Sequence, residues 1–365
     1  MLMESDCMNT DHLEYVLTNP RFTYGVKFPT DQLIQYIHDE DPVPSSSYNR
    51  YWMGFRFVYR ALLVFLNHYQ IKTYMAAAFF GLLALLIIQI TKNLNGIAAA
   101  AFALSMIIVK PYIIAVSVQF SCCFFLAFIG MLLVPWISRN PKYEGLMFAE
   151  LGMLTMVFDF YTTPIVTFGL PMVYLYLIIT EKNEVYAVKR IIKNAVIWFL
   201  SYIGMWLMKL LLTEIFTTKS AFRVAFSKVG TWFGVEGFQK EGYIYDPLEA
   251  MKCIWEAVTV NGSAGEKIAY ILMMIGTVVA VWLFLKGKID VGAIKRNVAL
   301  LGIALLPIVW FLATSQPIII HSWFQYRSIA LTFWALGGYA SLLLKKSSQE
   351  KKNDFISCKM KNFDI

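Results

Sequence analysis

Long apolar runs follow one another through the last four fifths of this chain. Nine can be delimited, near residues 73–90, 97–117, 118–137, 146–158, 164–180, 194–216, 267–286, 298–313 and 323–344. Hydrophobic residues make up 58% of the 365 residues and charged residues only 15%, and the mean hydropathy is +0.57. A helix of about 20 apolar residues spans a bilayer. The sequence therefore predicts an all-α polytopic membrane protein with about 8–9 transmembrane or re-entrant helices.

Two places in this pattern predict broken helices. Lys110 and Pro111 interrupt the second and third runs, which form either a hairpin or one full span plus a re-entrant half. The 13-residue run 146–158 makes a helix of about 20 Å, whereas the hydrocarbon core is about 30 Å thick. Irregular backbone at membrane depth needs protein or a wet cavity around it. The turn that begins at Asp159 is therefore predicted to lie below the membrane surface.

Lysine and arginine between the runs predict the orientation, because cytoplasmic loops carry an excess of both. The loops 181–193 and 287–297 are basic, whereas the connections 159–163 and 314–322 contain neither residue. The basic loops are therefore assigned to the cytoplasm and the other connections to the outside.

The alternation of basic and non-basic connections also divides the chain into regions. We expect an extracytoplasmic N-terminal segment over 1–72 and a transmembrane domain over 73–344. A long extracytoplasmic loop over 217–266 belongs to that domain, and a basic cytoplasmic tail follows over 345–365.

The segment 1–72 starts without the basic and apolar regions of a signal peptide. Either a first helix precedes it, or it crosses the membrane unaided. Residues 48–66 are predicted to form an interfacial amphipathic helix, and Trp52, Arg56, Arg60 and Leu63 recur at a spacing that shares one face.

Two interpretations of this basic face stay open. Its arginines can contact lipid phosphates while its aromatic rings lie at headgroup level. Alternatively, Arg50, Arg56 and Arg60 hold the phosphate of a specific lipid-linked substrate, because a planar guanidinium matches phosphate oxygens.

Three ionisable residues stand at the ends of apolar runs: Asp159, His321 and Arg327. Such groups are costly at membrane depth and usually face a protein interior or a wet cavity. We expect them to line one outer-facing cavity. The structural alternatives are a helix cap for Asp159, a carbonyl-bonded loop position for His321, and an Asp159–Arg327 ion pair.

Several chemistries are excluded by what the sequence lacks. The five cysteines form no CxxC pair and no zinc spacing, and there is no GxGxxG, P-loop, HExxH or GxSxG motif. The cytoplasmic loops are too short for a nucleotide-binding domain of about 100 residues. The basic residues form no single stripe with interleaved aromatics, so no nucleic-acid partner is predicted despite the net charge of +8.

Four motifs together resemble bacterial polytopic membrane glycosyltransferases of the GT-C type. They are the stretch from Asn49 to Arg56, Gln119-Phe120-Ser121 after Lys110-Pro111, Asp159-Phe-Tyr-Thr-Thr-Pro with Gly169-Leu170-Pro171, and His321-Ser-Trp-Phe-Gln-Tyr-Arg327. The resemblance covers most of the chain. It implies an enzyme of the cytoplasmic membrane that transfers a sugar from a polyprenyl-phosphate donor to a glycan acceptor outside, in cell-surface glycan assembly.

The resemblance also implies site residues. A catalytic acid is expected in the first outer loop, but the first span of the family pattern is missing here, and Glu4, Asp6 and Asp11 are the acids nearest to that place. The candidate catalytic residues are therefore Asp6, Asp11 and Asp159, and the candidate substrate-binding residues are Arg50, Arg56, Arg60, His321 and Arg327. No metal or other cofactor is expected, because arginine can neutralise a lipid phosphate.

Other functions remain as alternatives. A transporter, flippase or export partner for lipid-linked saccharide would show internal repeats and broken helices at the midplane. A membrane acyltransferase would place its histidine inside a span, and a truncated homologue would be inactive.

Overall fold

The computed structural model describes residues 12–23, 43–159, 161–182, 188–235, 245–259 and 295–343, with isolated positions between 31 and 38 and between 271 and 282. This part of the chain is predominantly helical. The helices are α1 His12–Thr18, α2 Gly54–Leu63, α3 His68–Asn93, α4 Gly96–Ile108, α5 Pro111–Ala115, α6 Val118–Ile137, α7 Glu144–Phe158, α8 Ile165–Glu181, α9 Val188–Phe216, α10 Ala221–Trp232, α11 Pro247–Thr259, α12 Val298–Ala313, α13 Ser315–Gln325 and α14 over 329–343. Short 3-10 turns at Pro141–Tyr143 and Tyr326–Ser328 precede α7 and α14.

Three of these helices, α3, α6 and α9, are long and apolar enough to cross a membrane. The helices α4, α8 and α12 are apolar but shorter. The predicted run 97–117 is divided, because Lys110 adopts a left-handed backbone conformation (φ 57°) and Pro111 starts α5. The 13 residues of α4 extend about 20 Å and are too short to cross alone.

Side-chain caps explain where several helices begin. Asn67 and Gln70 form a capping box at the start of α3, with both hydrogen bonds at 2.9 Å. Asn95 accepts from the Ala98 N–H at the start of α4, and Ser117 accepts from the Phe120 N–H at the start of α6. Each cap satisfies backbone donors that have no partner inside the helix.

The core is organised around α8, whose residues from Ile165 to Ile179 are all buried. It packs against α6, and α7 packs against α9. The second contact is close: a Cβ on Gly152 would lie 2.3 Å from the Trp198 carbonyl oxygen. By contrast, α3 and α9 leave many apolar side chains exposed, among them Leu85, Ile88 and Leu200. Apolar surface of this kind fits contact with lipid rather than with water.

The structure corrects several expected boundaries. Residues 315–325 form the helix α13 where the short connection 314–322 was predicted. The amphipathic helix predicted over 48–66 is shorter, since α2 is Gly54–Leu63. The N-terminal segment also contains an antiparallel pair of strands, Pro20–Thr23 and Val43–Ser47, which the all-α expectation did not include. The span predicted over 267–286 lies almost entirely outside the described residues, and the tail 345–365 lies entirely outside them.

Candidate functional site

The N-terminal segment is fixed to one end of α9 by polar contacts. The Lys209 ammonium donates to the carbonyl oxygens of Val16 (2.8 Å) and Leu17 (2.9 Å), at the last turn of α1. Its Nζ also lies 5.2 Å from the centre of the Trp52 ring, and the Trp52 indole donates to the Met205 carbonyl at 3.0 Å. A cation at a helix C-terminus is favourable because the last carbonyls carry partial negative charge. These contacts place α1 and Trp52 beside the other elements of the site.

Asp159 ends α7 and is only 2% exposed. Its carboxylate accepts hydrogen bonds from the Thr162 N–H at 3.0 Å and from the Thr162 hydroxyl at 2.5 Å. The side chain therefore organises the turn that leads into α8, as the helix-cap interpretation expects. Two carboxylate oxygens offer about four acceptor positions, so this turn leaves acceptor capacity for other groups.

The surroundings of Asp159 come from three distant parts of the chain. Its carboxylate interacts electrostatically with the hydroxyl groups of Tyr51 before α2, Tyr161 in the adjoining turn and Tyr202 on α9. The Cys123 thiol of α6 also interacts electrostatically with the same carboxylate. The sequence alone assigns no role to Cys123 or to these three tyrosines.

Arg50 is the predicted arginine that adjoins this cluster. Its guanidinium carbon lies 4.8 Å from the centre of the Tyr51 ring and 5.7 Å from that of Tyr48. Burial raises the pKa of the Tyr51 hydroxyl, the Arg50 charge opposes that rise, and the Asp159 charge adds to it. Tyr51 is therefore a neutral hydrogen-bond donor at physiological pH.

Arg56 and Arg60 do not point to the Asp159 cluster but converge on Tyr15 of α1. The buried Arg56 donates to the Tyr15 hydroxyl at 2.6 Å, and its guanidinium carbon lies 5.2 Å from the ring centre. The Arg60 guanidinium lies 5.5 Å from the same ring. Trp52 precedes α2 and contacts α9 instead, so the single helical face predicted for Trp52, Arg56 and Arg60 is not formed.

Arg327 is a buried cation, 2% exposed, in the 3-10 turn before α14. Its guanidinium carbon lies 4.8 Å from the Phe120 ring centre and 5.1 Å from that of Tyr326, and it donates to the Phe324 carbonyl at 3.3 Å. Its Nε has no hydrogen-bond partner, and within the described residues Arg327 forms no ion pair. The ion pair with Asp159 that was considered as a structural alternative is therefore absent.

A second buried cation lies beside Arg327. Lys110 is the buried residue at the break between α4 and α5, and its Nζ is 5.5 Å from the centre of the Tyr326 ring. The sequence marked Lys110 only as an interruption of an apolar run. Both cations therefore lie within 5.5 Å of the centre of the Tyr326 ring.

His321 lies at a kink within α13, where its backbone leaves the helical conformation (φ −125°, ψ 22°). The ring stacks on Phe324 with 5.1 Å between centroids, and Phe324 stacks in turn on Phe120 at 5.5 Å. His321 itself is exposed and makes no hydrogen bond within the described part of the chain. It thus lies on the surface beside the rings that cover Arg327.

Backbone strain is concentrated around these groups. Among the described residues, four that are not glycine have positive φ, and they include Met53 (52°), Lys110 (57°) and Tyr161 (58°). Met53 precedes the start of α2, where a Cβ on Gly54 would lie 2.7 Å from the Val157 carbonyl near Asp159. Strained positions of this kind persist where the surrounding structure holds them and are frequent at functional sites.

Half-buried aromatic rings adjoin Asp159 on the α10 and α12 side. The Tyr161 ring stacks on Trp232 at 4.5 Å and lies 5.3 Å from Trp310 between centroids. Among the described residues, no group of three or more His, Cys, Asp or Glu could hold a metal ion. The remaining candidate acids, Asp6 and Asp11, lie outside the described residues.

The arrangement can accept a proton at Asp159 and hold an anion at Arg327, and aromatic rings adjoin Asp159. Comparison of the chain with protein-family models, with curated proteins and with solved structures found no match.

Proposed function

We propose that this chain is a membrane glycosyltransferase that moves a sugar from a polyprenyl-phosphate donor to an acceptor hydroxyl at the outer face of the bacterial cytoplasmic membrane. One observation carries the proposal: a buried carboxylate, Asp159, and a buried guanidinium without a carboxylate partner, Arg327, adjoin neighbouring turns of α6 through Cys123 and Phe120. Glycosyl transfer from a phosphate needs a base for the acceptor and a cation for the leaving group.

The proposed reaction is a single displacement at the anomeric carbon. The acceptor oxygen forms the new glycosidic bond, and its proton passes to the Asp159 carboxylate. The bond between the anomeric carbon and the phosphate oxygen breaks, and polyprenyl phosphate leaves with the bonding electrons. Arg327 stabilises the charge that develops on this phosphate, because an anion in a water-poor site interacts strongly with a fixed cation.

The other groups have supporting roles in this proposal. Tyr51 is neutral and can donate a hydrogen bond to a sugar hydroxyl, while Arg50 adds positive charge on the same side. The half-buried rings of Tyr161, Trp232 and Trp310 can contact the apolar C–H face of a sugar. The polyprenyl chain would run along the apolar outer surface of the helices.

The proposal is tested with purified protein in vesicles and a panel of polyprenyl-phosphate sugars bearing a radiolabelled sugar. We expect release of polyprenyl phosphate with transfer of the label to an acceptor extract from the cell envelope. Asp159→Asn and Arg327→Gln should each lower both strongly at limiting donor, while Glu249→Gln on α11 serves as the control. Movement of the intact donor across the bilayer without bond cleavage would show that the protein is a flippase and not a glycosyltransferase.

Separate variants identify the base. If Asp6→Asn or Asp11→Asn abolishes transfer while Asp159→Asn retains it, the base lies in the N-terminal segment and Asp159 only shapes the turn.

A further inference from the structure

The helix α11 has three chemically different faces. Ala250, Ile254 and Val258 form a buried face that packs against Ile318 of α13 and against α12. On a second face, Leu248 is 81% exposed and Trp255 is 67% exposed. These two residues are seven positions apart and stand one above the other on a helix. They form an apolar ridge that no described residue covers.

Charged residues follow this ridge around the helix in a fixed order. At about 100° per residue, Lys252 lies about 50° from the ridge and the pair Glu249 and Glu256 about 100° from it. Lys252 and Glu256 are exposed, and Lys252 contacts Glu249 at 3.4 Å. Around the circumference of α11, the apolar ridge is therefore followed by a basic residue and then by an acidic face.

The position of α11 is set by the end of an apolar helix. Its buried face contacts Phe311, in the last turn of α12. Just before α11, the Tyr245 hydroxyl donates to the Leu312 carbonyl at 3.2 Å. Because α12 is one of the shorter apolar helices, we take its last turn to lie at the boundary between hydrocarbon and headgroups.

We propose that α11 is a membrane-surface helix whose Leu248–Trp255 ridge inserts into the boundary between lipid headgroups and acyl chains. Lys252 lies at the height of the lipid phosphates, and the acidic face turns to water. A surface helix in a bilayer has this order of faces, with tryptophan at the interface and a basic residue beside it.

A second protein chain fits the ridge less well. The centres of protein interfaces are depleted of lysine and glutamate, and here both lie within one helical turn of Trp255. The continuity of the ridge with the end of α12 instead favours the lipid that surrounds α12. The proposal concerns the membrane contact alone and does not depend on glycosyl transfer.

The test uses photocrosslinking in the full-length protein. A benzophenone amino acid replaces Leu248, Trp255 or, as the matched control on the same helix, Glu256, and each protein is placed in vesicles of phosphatidylethanolamine and phosphatidylglycerol. We expect lipid adducts at 248 and 255 in several-fold excess over 256, measured by mass spectrometry. Equal yields at 255 and 256, or a crosslinked dimer in place of lipid adducts, would overturn the proposal.

A second measurement uses the protein without substitutions, so its result does not depend on whether the variants fold. Hydroxyl-radical oxidation of Trp255 should be low in lipid nanodiscs, although two thirds of the side chain is exposed in the protein alone. It should rise several-fold when detergent at low concentration replaces the lipid. Strong oxidation of Trp255 in nanodiscs would show that the ridge faces water and would contradict the assignment.

Discussion

Asp159 and Arg327 form no ion pair, yet both adjoin the first two turns of α6. Arg327 lies over the Phe120 ring, and Asp159 interacts electrostatically with the Cys123 thiol, one turn further along. Phe120 and Cys123 are three residues apart, which is roughly 4.5 Å along the axis of α6. The proposed function uses these two charges for a ligand that carries both a hydroxyl and a phosphate.

Asp159→Asn should stop transfer while the protein keeps its fold. The asparagine carbonyl can still accept the hydrogen bond from the Thr162 N–H, so the turn into α8 is preserved. Loss of a general base lowers turnover by about 10²- to 10⁴-fold. The measurement is turnover at saturating donor, with the melting temperature in the same lipid as the control for folding. Retained turnover would leave Asp159 as a cap only.

Arg327→Met should impair activity without lowering the stability of the fold. Methionine can occupy the space between the Phe120 and Tyr326 rings, and it removes a buried charge that has no carboxylate partner. Replacing a buried charge with an apolar side chain is often neutral or stabilising, so we expect an unchanged or higher melting temperature.

The same variant should lose affinity for the donor. A hydrogen bond to a charged group contributes about 1.5–3 kcal/mol, so KM for a polyprenyl-phosphate sugar should rise roughly 10- to 150-fold. Arg327→Lys, which keeps the charge, should recover part of the loss. Reduced stability with normal KM would assign Arg327 to the fold instead.

The local features of the site followed from the sequence, whereas most of its contacts did not. The short run before Asp159 predicted a recessed turn, with a helix cap as the structural alternative for Asp159, and the rule that ionisable groups at membrane depth face protein or a wet cavity agrees with the burial of Asp159 and Arg327. Both inferences rest on neighbouring residues and on the cost of burying charge.

Contacts between distant segments needed the structure. Periodicity shows that a run is helical, but it does not tell which helices pack together, so Tyr51, Tyr202 and Cys123 could not be assigned to the Asp159 cluster. The sequence carries one such signal: Lys209 interrupts the apolar run 194–216, and a lone lysine in such a run usually has a specific partner. Its partners are the carbonyls at the end of α1.

Accessible positions now exist for testing the orientation. Gln316, in the connection predicted over 314–322, is only 4% exposed, so a cysteine placed there would be shielded from the reagent. With Cys7, Cys253 and Cys358 changed to serine, Lys252→Cys on α11 should react with a membrane-impermeant thiol reagent in intact cells.

Lys142→Cys is the matched control, because Lys142 is exposed in the connection between α6 and α7, on the opposite side of the proposed topology. It should react only after the cells are opened. Labelling at 142 before lysis, with none at 252, would reverse the orientation.

Tyr15 and Arg56 should stabilise the N-terminal segment jointly rather than separately. Their hydrogen bond of 2.6 Å is buried and one partner is charged, so Tyr15→Phe and Arg56→Gln should each cost about 1.5–3 kcal/mol of local stability. In the double variant the two losses should not add, and the coupling energy should be about 0.5–3 kcal/mol. Limited proteolysis in nanodiscs measures the opening of the segment in all four proteins.

Arg60→Gln, which removes only a half-buried contact with the Tyr15 ring, is the control and should cost less local stability. Fully additive losses would mean that Arg56 acts elsewhere, and the interpretation of Arg56 as a phosphate ligand would then be favoured over its role in the fold.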